Sequence, residues 1–139
     1  MTDPFDLDRF VSAQADSYDV ALSEIRHGAK RSHWMWYIFP QIVGLGRSPM
    51  ARHYAIRSCD EARAYLAHPT LGPRLRACVE ALQERSEPTA DVIFGPVDAM
   101  KLRSSLTLFR QADGGHLFSG ALDRWFGGVP DQATLDILA

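Results

Sequence analysis

Apolar residues recur along this chain at three- and four-residue steps, from Leu7 to Leu138, and no segment shows a clean two-residue alternation bounded by turns. That spacing buries one stripe of a helix rather than one face of a strand, so the chain must pack helix on helix. Leu7, Phe10, Val11 and Gln14 fall at i, i+3, i+4 and i+7, and Tyr18, Ala21, Leu22 and Ile25 repeat the step before Gly28 stops it. Ser48 and Pro49 form a cap and first-position pair that opens a helix through Met50 to Ile56. Ser58 with Glu61 makes a capping box for a helix running to about Ala67, which His68-Pro69 breaks. Pro73 opens another, with Leu75, Cys78, Val79 and Leu82 on one stripe. After a loop at Ser86-Glu87-Pro88, a helical turn from Asp91 to Phe94 precedes Gly95-Pro96. Val97 to Gln111 carries Leu102, Leu106 and Phe109 inward and ends at Asp113-Gly114-Gly115. His116 to Phe126 and Asp131 to Leu138 complete the pattern on either side of Gly127-Gly128-Val129-Pro130. The expected fold is all-α: one compact multihelical domain over residues 1–139, with about six to eight short helices.

The bulk numbers narrow the function. A hydrophobic share of 46% over 139 residues supports one core. A net charge of −2 lacks the basic excess of a nucleic-acid binder, so no nucleic-acid partner is expected. No apolar run is long enough for a bilayer, and Met1-Thr2-Asp3-Pro4 shows no signal-peptide pattern, so a cytoplasmic location with no membrane partner is expected. Cys59 and Cys78 lack metal spacing and are expected as reduced, buried hydrophobes. No two histidines stand at i, i+4, so neither a zinc site nor another metal or cofactor is expected.

The unusual chemistry is concentrated in Lys30-Arg31-Ser32-His33-Trp34-Met35-Trp36-Tyr37-Ile38-Phe39-Pro40-Gln41. A strand at Met35 to Phe39 would lack a partner, so a short helix ending before Pro40 is expected there. Two residues on a helix are about 200° apart, so Trp34 and Trp36 cannot share a face. Trp34 and Phe39 suit the core, while Trp36 and Tyr37 suit a cleft wall where a ring could stack. His33, beside Ser32, Lys30 and Arg31, suits a base or an acceptor. His27, in the last turn of its helix, suits the helix dipole.

Three further features point towards a ligand. Gly44-Leu45-Gly46-Arg47-Ser48 lets the backbone bend ahead of a helix start, a plausible seat for an anion, though it matches neither a phosphate-binding loop with its lysine nor a dinucleotide fingerprint. Thirteen arginines stand against two lysines, Lys30 and Lys101: a high-GC genome accounts for such a bias with the lysines as chance survivors, and the other reading is that each stands where a compact ammonium is wanted. Ser104 and Ser105 follow Lys101 at i+3 and i+4, on a face about 100–120° from the leucine stripe; either they hold a polar or anionic ligand with Lys101, or they are small residues that let a neighbouring helix approach, with Lys101 paired to Asp98. Gln14, on an apolar stripe, needs partners for a buried amide and can hold a bend in the aromatic segment or reach a ligand. Gln41 presents the same choice.

Ser32-His33-Trp34-Met35-Trp36 running into Phe39-Pro40-Gln41, then the Gly44 to Ser48 turn, then Lys101-Leu102-Arg103-Ser104-Ser105 with Thr107-Leu108-Phe109, resemble the bacterial family known as domain of unknown function 1810. His68-Pro69 with Leu71-Gly72, and Phe94-Gly95 ahead of Asp98, fit as well. The resemblance covers about Phe10 to Leu135 and implies a small multihelical domain, without assigning a catalytic residue. Members sometimes carry a calpastatin label. An inhibitor repeat of that type is disordered, whereas this chain is patterned to fold.

Two functions are expected to compete. In the first, the aromatic segment and the Lys101 motif meet around a hollow that binds, and acts on, a small polar or anionic ligand of nucleotide-like or phosphorylated character. Lys30, His33, Trp36 and Gln41 would line it on one side, and Lys101, Ser104 and Ser105 on the other. Gly44, Gly46, Arg47 and Ser48 would seat the phosphate, and His33, Lys101 and Ser104 would be the candidates for catalysis. In the second, an exposed tryptophan and arginines form a docking patch for another protein, with no catalysis.

Overall fold

The helical spacing becomes ten helices in the computed structural model, which describes residues 2–113 and 115–139. They are α1 (Asp8–Gln14), α2 (Tyr18–Arg26), α3 (Met35–Ile38), α4 (Pro49–His53) and α5 (Cys59–Ala67), then α6 (Leu71–Gln83), α7 (Ala90–Phe94), α8 (Pro96–Asp113), α9 (His116–Phe126) and α10 (Gln132–Leu138). The all-α reading holds. Seven helices have seven or more residues, within the expected six to eight, and α3, α4 and α7 are single turns. Gly114, expected in the stop after α8, lies outside the described residues.

Local chemistry accounts for several of the boundaries. The Ser48 hydroxyl accepts the Ala51 N–H at 3.1 Å, and the Ser58 hydroxyl accepts the Glu61 N–H at 3.1 Å, so both expected serine caps form. The reciprocal half of the capping box does not, because the Glu61 carboxylate accepts instead from the Arg57 N–H and from Arg9. Gly28 stops α2 at a φ of +71°, a conformation that glycine adopts without a Cβ penalty. The helix expected from Pro73 begins at Leu71, with proline inside the first turn, where its missing N–H costs nothing. His68 Nδ1 accepts the Thr70 and Leu71 N–H groups there, at 3.1 and 3.2 Å.

One boundary departs from expectation for a tertiary reason. α4 ends at His53 rather than reaching Ile56. Ile56 is drawn into an isolated parallel bridge with Ile42: its N–H donates to the Gln41 carbonyl at 2.9 Å, and its carbonyl accepts from Val43 N at 2.7 Å. Both isoleucines are buried.

The core is threaded by rings. Phe10 meets Tyr65 edge-on at 5.1 Å, Tyr65 meets Phe109 at 5.3 Å, and Phe109 meets Phe118 at 5.9 Å. This line joins α1, α5, α8 and α9, and burial of each ring contributes roughly 2–3 kcal/mol. Trp34 and Phe39 are buried as expected and pack with Phe94. Helix α8 packs on α5, α7, α9 and α10, so residues 104–109 are all buried. A helix enclosed on most sides needs small side chains where neighbours approach, and Ser104, Ser105 and Thr107 serve that need.

Candidate functional site

Glu24 on α2 fixes the start of the aromatic segment. Its carboxylate accepts hydrogen bonds from the Arg31 and Ser32 N–H groups at 2.8 and 3.0 Å, from the Ser32 hydroxyl at 2.6 Å and from the Trp34 indole at 2.9 Å. Burial alone would raise its pKa, but these bonds win and lower it from 4.5 to about 2. Gln14, 1% exposed, holds the far side: its amide donates to the Tyr37 carbonyl at 2.7 Å and to the Tyr65 hydroxyl at 3.0 Å. Of its two expected roles it takes the structural one.

The two lysines converge on one carboxylate. Lys30 Nζ pairs with Asp98 at 2.8 Å, donates to the Ser32 carbonyl at 2.6 Å and lies 4.9 Å from the Trp34 ring centroid. Its side chain is only 7% exposed, so this ammonium is committed to the protein. Lys101 Nζ is held loosely, 3.8 Å from Asp98 and 5.5 Å from the Trp36 ring centroid.

Lys101 opens onto a cleft of about 310 Å³. The loop after α3 supplies one wall with Gln41, Leu45 and Gly46; α8 supplies a second with Val97, Met100, Lys101 and Ser104; the start of α10 adds Asp131 and Ala133. The aromatic motif's end and the Lys101 motif therefore do meet, through Gln41, Gly46, Lys101 and Ser104. The Gln41 side chain makes no hydrogen bond among the described residues, while its backbone is pinned by the Ile42–Ile56 bridge. The Ser104 hydroxyl donates to the Met100 carbonyl at 3.2 Å. A larger hollow of about 590 Å³ lies beside the N-terminal segment, where Asp3 is engaged by the Leu7 and Asp8 N–H groups and His68 caps α6.

Other expected members stand elsewhere. His33 is exposed and lines a separate depression with Asp16, Ser17 and Tyr37. Tyr37 itself donates to the Ser17 hydroxyl at 3.1 Å and packs on Tyr54 at 5.3 Å. Ser105 is buried, and its hydroxyl has no hydrogen-bond partner among the described residues. Arg47 is exposed, and Ser48 spends its hydroxyl on the cap. The Ala51 and Arg52 N–H groups in the first turn of α4 are already bonded to the Ser48 hydroxyl and carbonyl. The glycines have structural reasons: Gly44 sits at φ +99°, and a Cβ on Gly46 would collide with that of Ala51. Trp36 is half-buried, and Trp34 and Trp125 are buried, so an exposed tryptophan does not mark a docking patch among the described residues. His27 Nδ1 lies 2.7 Å from the Ser23 carbonyl, a structural contact. Cys78 is buried, which pushes its thiol up to about 12, whereas Cys59 at the start of α5 is half-exposed rather than buried.

Spacing alone did not reveal the third wall. Arg103 donates to the Val129 and Pro130 carbonyls at 2.9 and 3.0 Å, and the Asp131 N–H donates to the Thr107 hydroxyl at 2.9 Å. These three bonds strap residues 129–131 to α8 and set Asp131 at the cleft. The available signal was Arg103 and Thr107 within the Lys101 motif, one residue before Ser104 and two residues after Ser105.

Among the described residues, no group of three or more histidine, cysteine or acidic side chains is placed to hold a metal, and no helix is long and apolar enough to cross a membrane. Comparison with known proteins agrees with this fold. The crystal structure of the conserved hypothetical protein Rv1873 from Mycobacterium tuberculosis is similar to the chain at 48% sequence identity and a TM-score of 0.96, with 98% of each chain covered. Among curated proteins none matches. The family model described as "Protein of unknown function (DUF1810)" matches residues 4–138, nearly the whole length, and the chain belongs to that family.

Proposed function

We propose that the cleft between α8, the loop after α3 and the start of α10 binds a small molecule through one anionic group and an apolar body. The observation that carries this reading is the state of Lys101. Its ammonium has one distant carboxylate, 3.8 Å away, and it stands beside an uncommitted Gln41 amide and the Ser104 hydroxyl. An ammonium so placed gains a charge-assisted hydrogen bond from an incoming carboxylate at little reorganisation cost. Leu45, Val97, Met100 and Ala133 offer the apolar contact. The volume lies at the small end of ligand pockets.

A phosphorylated or nucleotide-like ligand, expected from the sequence, suits this arrangement less well than a monoanion. Lys30 is spent on Asp98, and the Ala51 N–H at the start of α4 is spent on the Ser48 hydroxyl. The two charged side chains that line the cleft, Lys101 and Asp131, sum formally to zero, so a dianion finds no excess of positive charge in the lining. The reading is binding rather than chemistry: the Ser104 proton goes to the Met100 carbonyl, and His33 stands in another depression. The free thiols Cys59 and Cys78 suit the reducing cytoplasm.

A thermal-shift titration with branched and aromatic carboxylates tests this. Ligand at about 100 times its dissociation constant contributes about 2.7 kcal/mol, which raises the melting temperature by several degrees. The Lys101→Ala variant is expected to fold and to lose the response. No shift at millimolar ligand, or an equal shift in the variant, would count against the cleft.

A further inference from the structure

We infer that the cleft selects a zwitterion of the α-amino-acid class with an apolar side chain, its carboxylate on Lys101 and its ammonium on Asp131. The inference rests on the reading of the cleft as a small-molecule site and specifies what that site takes.

Asp131 is the argument. Its Oδ2 accepts from the Thr134 N–H at 3.1 Å and the Thr134 hydroxyl at 2.6 Å, which caps α10. Its Oδ1 accepts no hydrogen bond from the described residues, and Asp131 forms no ion pair among them. A carboxylate serving only as a cap leaves its second oxygen to solvent, but this one lines a cleft whose other polar wall carries an ammonium. The strap of three hydrogen bonds from Arg103 and Thr107 fixes residues 129–131, so the carboxylate is held in place before any ligand arrives.

A single-charge ligand leaves one of the two groups uncompensated as the cleft loses water, a costly outcome for either sign. A zwitterion satisfies both and brings no net charge into a surround that sums to zero. Gln41 can serve either end, since an amide both donates and accepts. Ser104 keeps acceptor capacity for an ammonium hydrogen, because its own proton is committed to Met100. Val97 and Met100 are 65% and 70% exposed, unusually open for such residues, and an apolar side chain between them would cover both.

The test is calorimetric or NMR titration of the full chain with L-leucine, L-methionine and L-phenylalanine, set against 4-methylpentanoate and 3-methylbutylamine, the deaminated and decarboxylated relatives of leucine. At least one of the amino acids is expected to bind about tenfold or more tighter than either single-charge compound. Asp131→Asn retains a capping oxygen for Thr134 and is expected to melt near the wild type. It should weaken the amino acid about tenfold while leaving 4-methylpentanoate unchanged or improved; Lys101→Met should weaken both. If 4-methylpentanoate binds as well as every amino acid, or Asp131→Asn makes no difference, the zwitterion inference falls and the anion site stands. If none of the five compounds binds, the site itself falls, and the inference with it.

Discussion

At the scale of single residues, the polar groups that matter most are carboxylates and amides holding backbone. Gln14 stood out in the sequence because an amide interrupts an apolar stripe, and it pins the Tyr37 carbonyl. Glu24 gave no such signal: its partners at Arg31, Ser32 and Trp34 lie across a turn that spacing cannot close. Its role has a pH signature. The folded carboxyl titrates near 2 against an ordinary 4.5, so folding favours the charged form. The stability it contributes is complete above about pH 4.5 and is lost as pH falls through 2. Melting temperatures of wild type and Glu24→Gln should differ clearly at pH 7 and converge towards pH 2. A difference that persists undiminished at pH 2 would contradict the assignment.

At the scale of elements, several helix positions were legible because they rest on local chemistry: serine caps at Ser48 and Ser58, a glycine stop at Gly28, apolar stripes on α1, α2 and α6. What failed was tertiary. Nothing near Ile56 announces that its N–H will find the Gln41 carbonyl, so the end of α4 was misplaced. The strap after α9 was equally hidden, since the Arg103 side chain bonds carbonyls 26 and 27 positions away. That strap is open to test. Arg103→Met keeps the aliphatic stem but loses two charge-assisted bonds, and is expected to cost about 1–3 kcal/mol in denaturant unfolding. Amide exchange should quicken at Val129 and Asp131 while α5 and α6 stay protected. Uniform loss of protection across the molecule would mean that the strap is not a separate unit.

At the scale of the whole molecule, two motifs some sixty positions apart come together because α8 runs through the centre and the loop after α3 crosses beside it. The lysine bias picked out two side chains that the fold brings together, for Lys30 and Lys101 share Asp98. It did not separate the committed ammonium from the open one, since burial and partners are properties of the fold. His33 was misassigned to the shared hollow because proximity in sequence to Trp36 said nothing about the side on which the chain would turn it. Asp131 was missed because it arrives from the opposite end of the chain. The account depends on the cleft being where a ligand sits. Backbone amide NMR shifts, followed during titration with an apolar amino acid, map that position directly. The largest changes are expected at Gln41, Gly46, Lys101, Ser104 and Asp131, with His33 and its depression unmoved. Changes centred on His33, Ser17 and Tyr37 instead, or no saturable change at all, would contradict it.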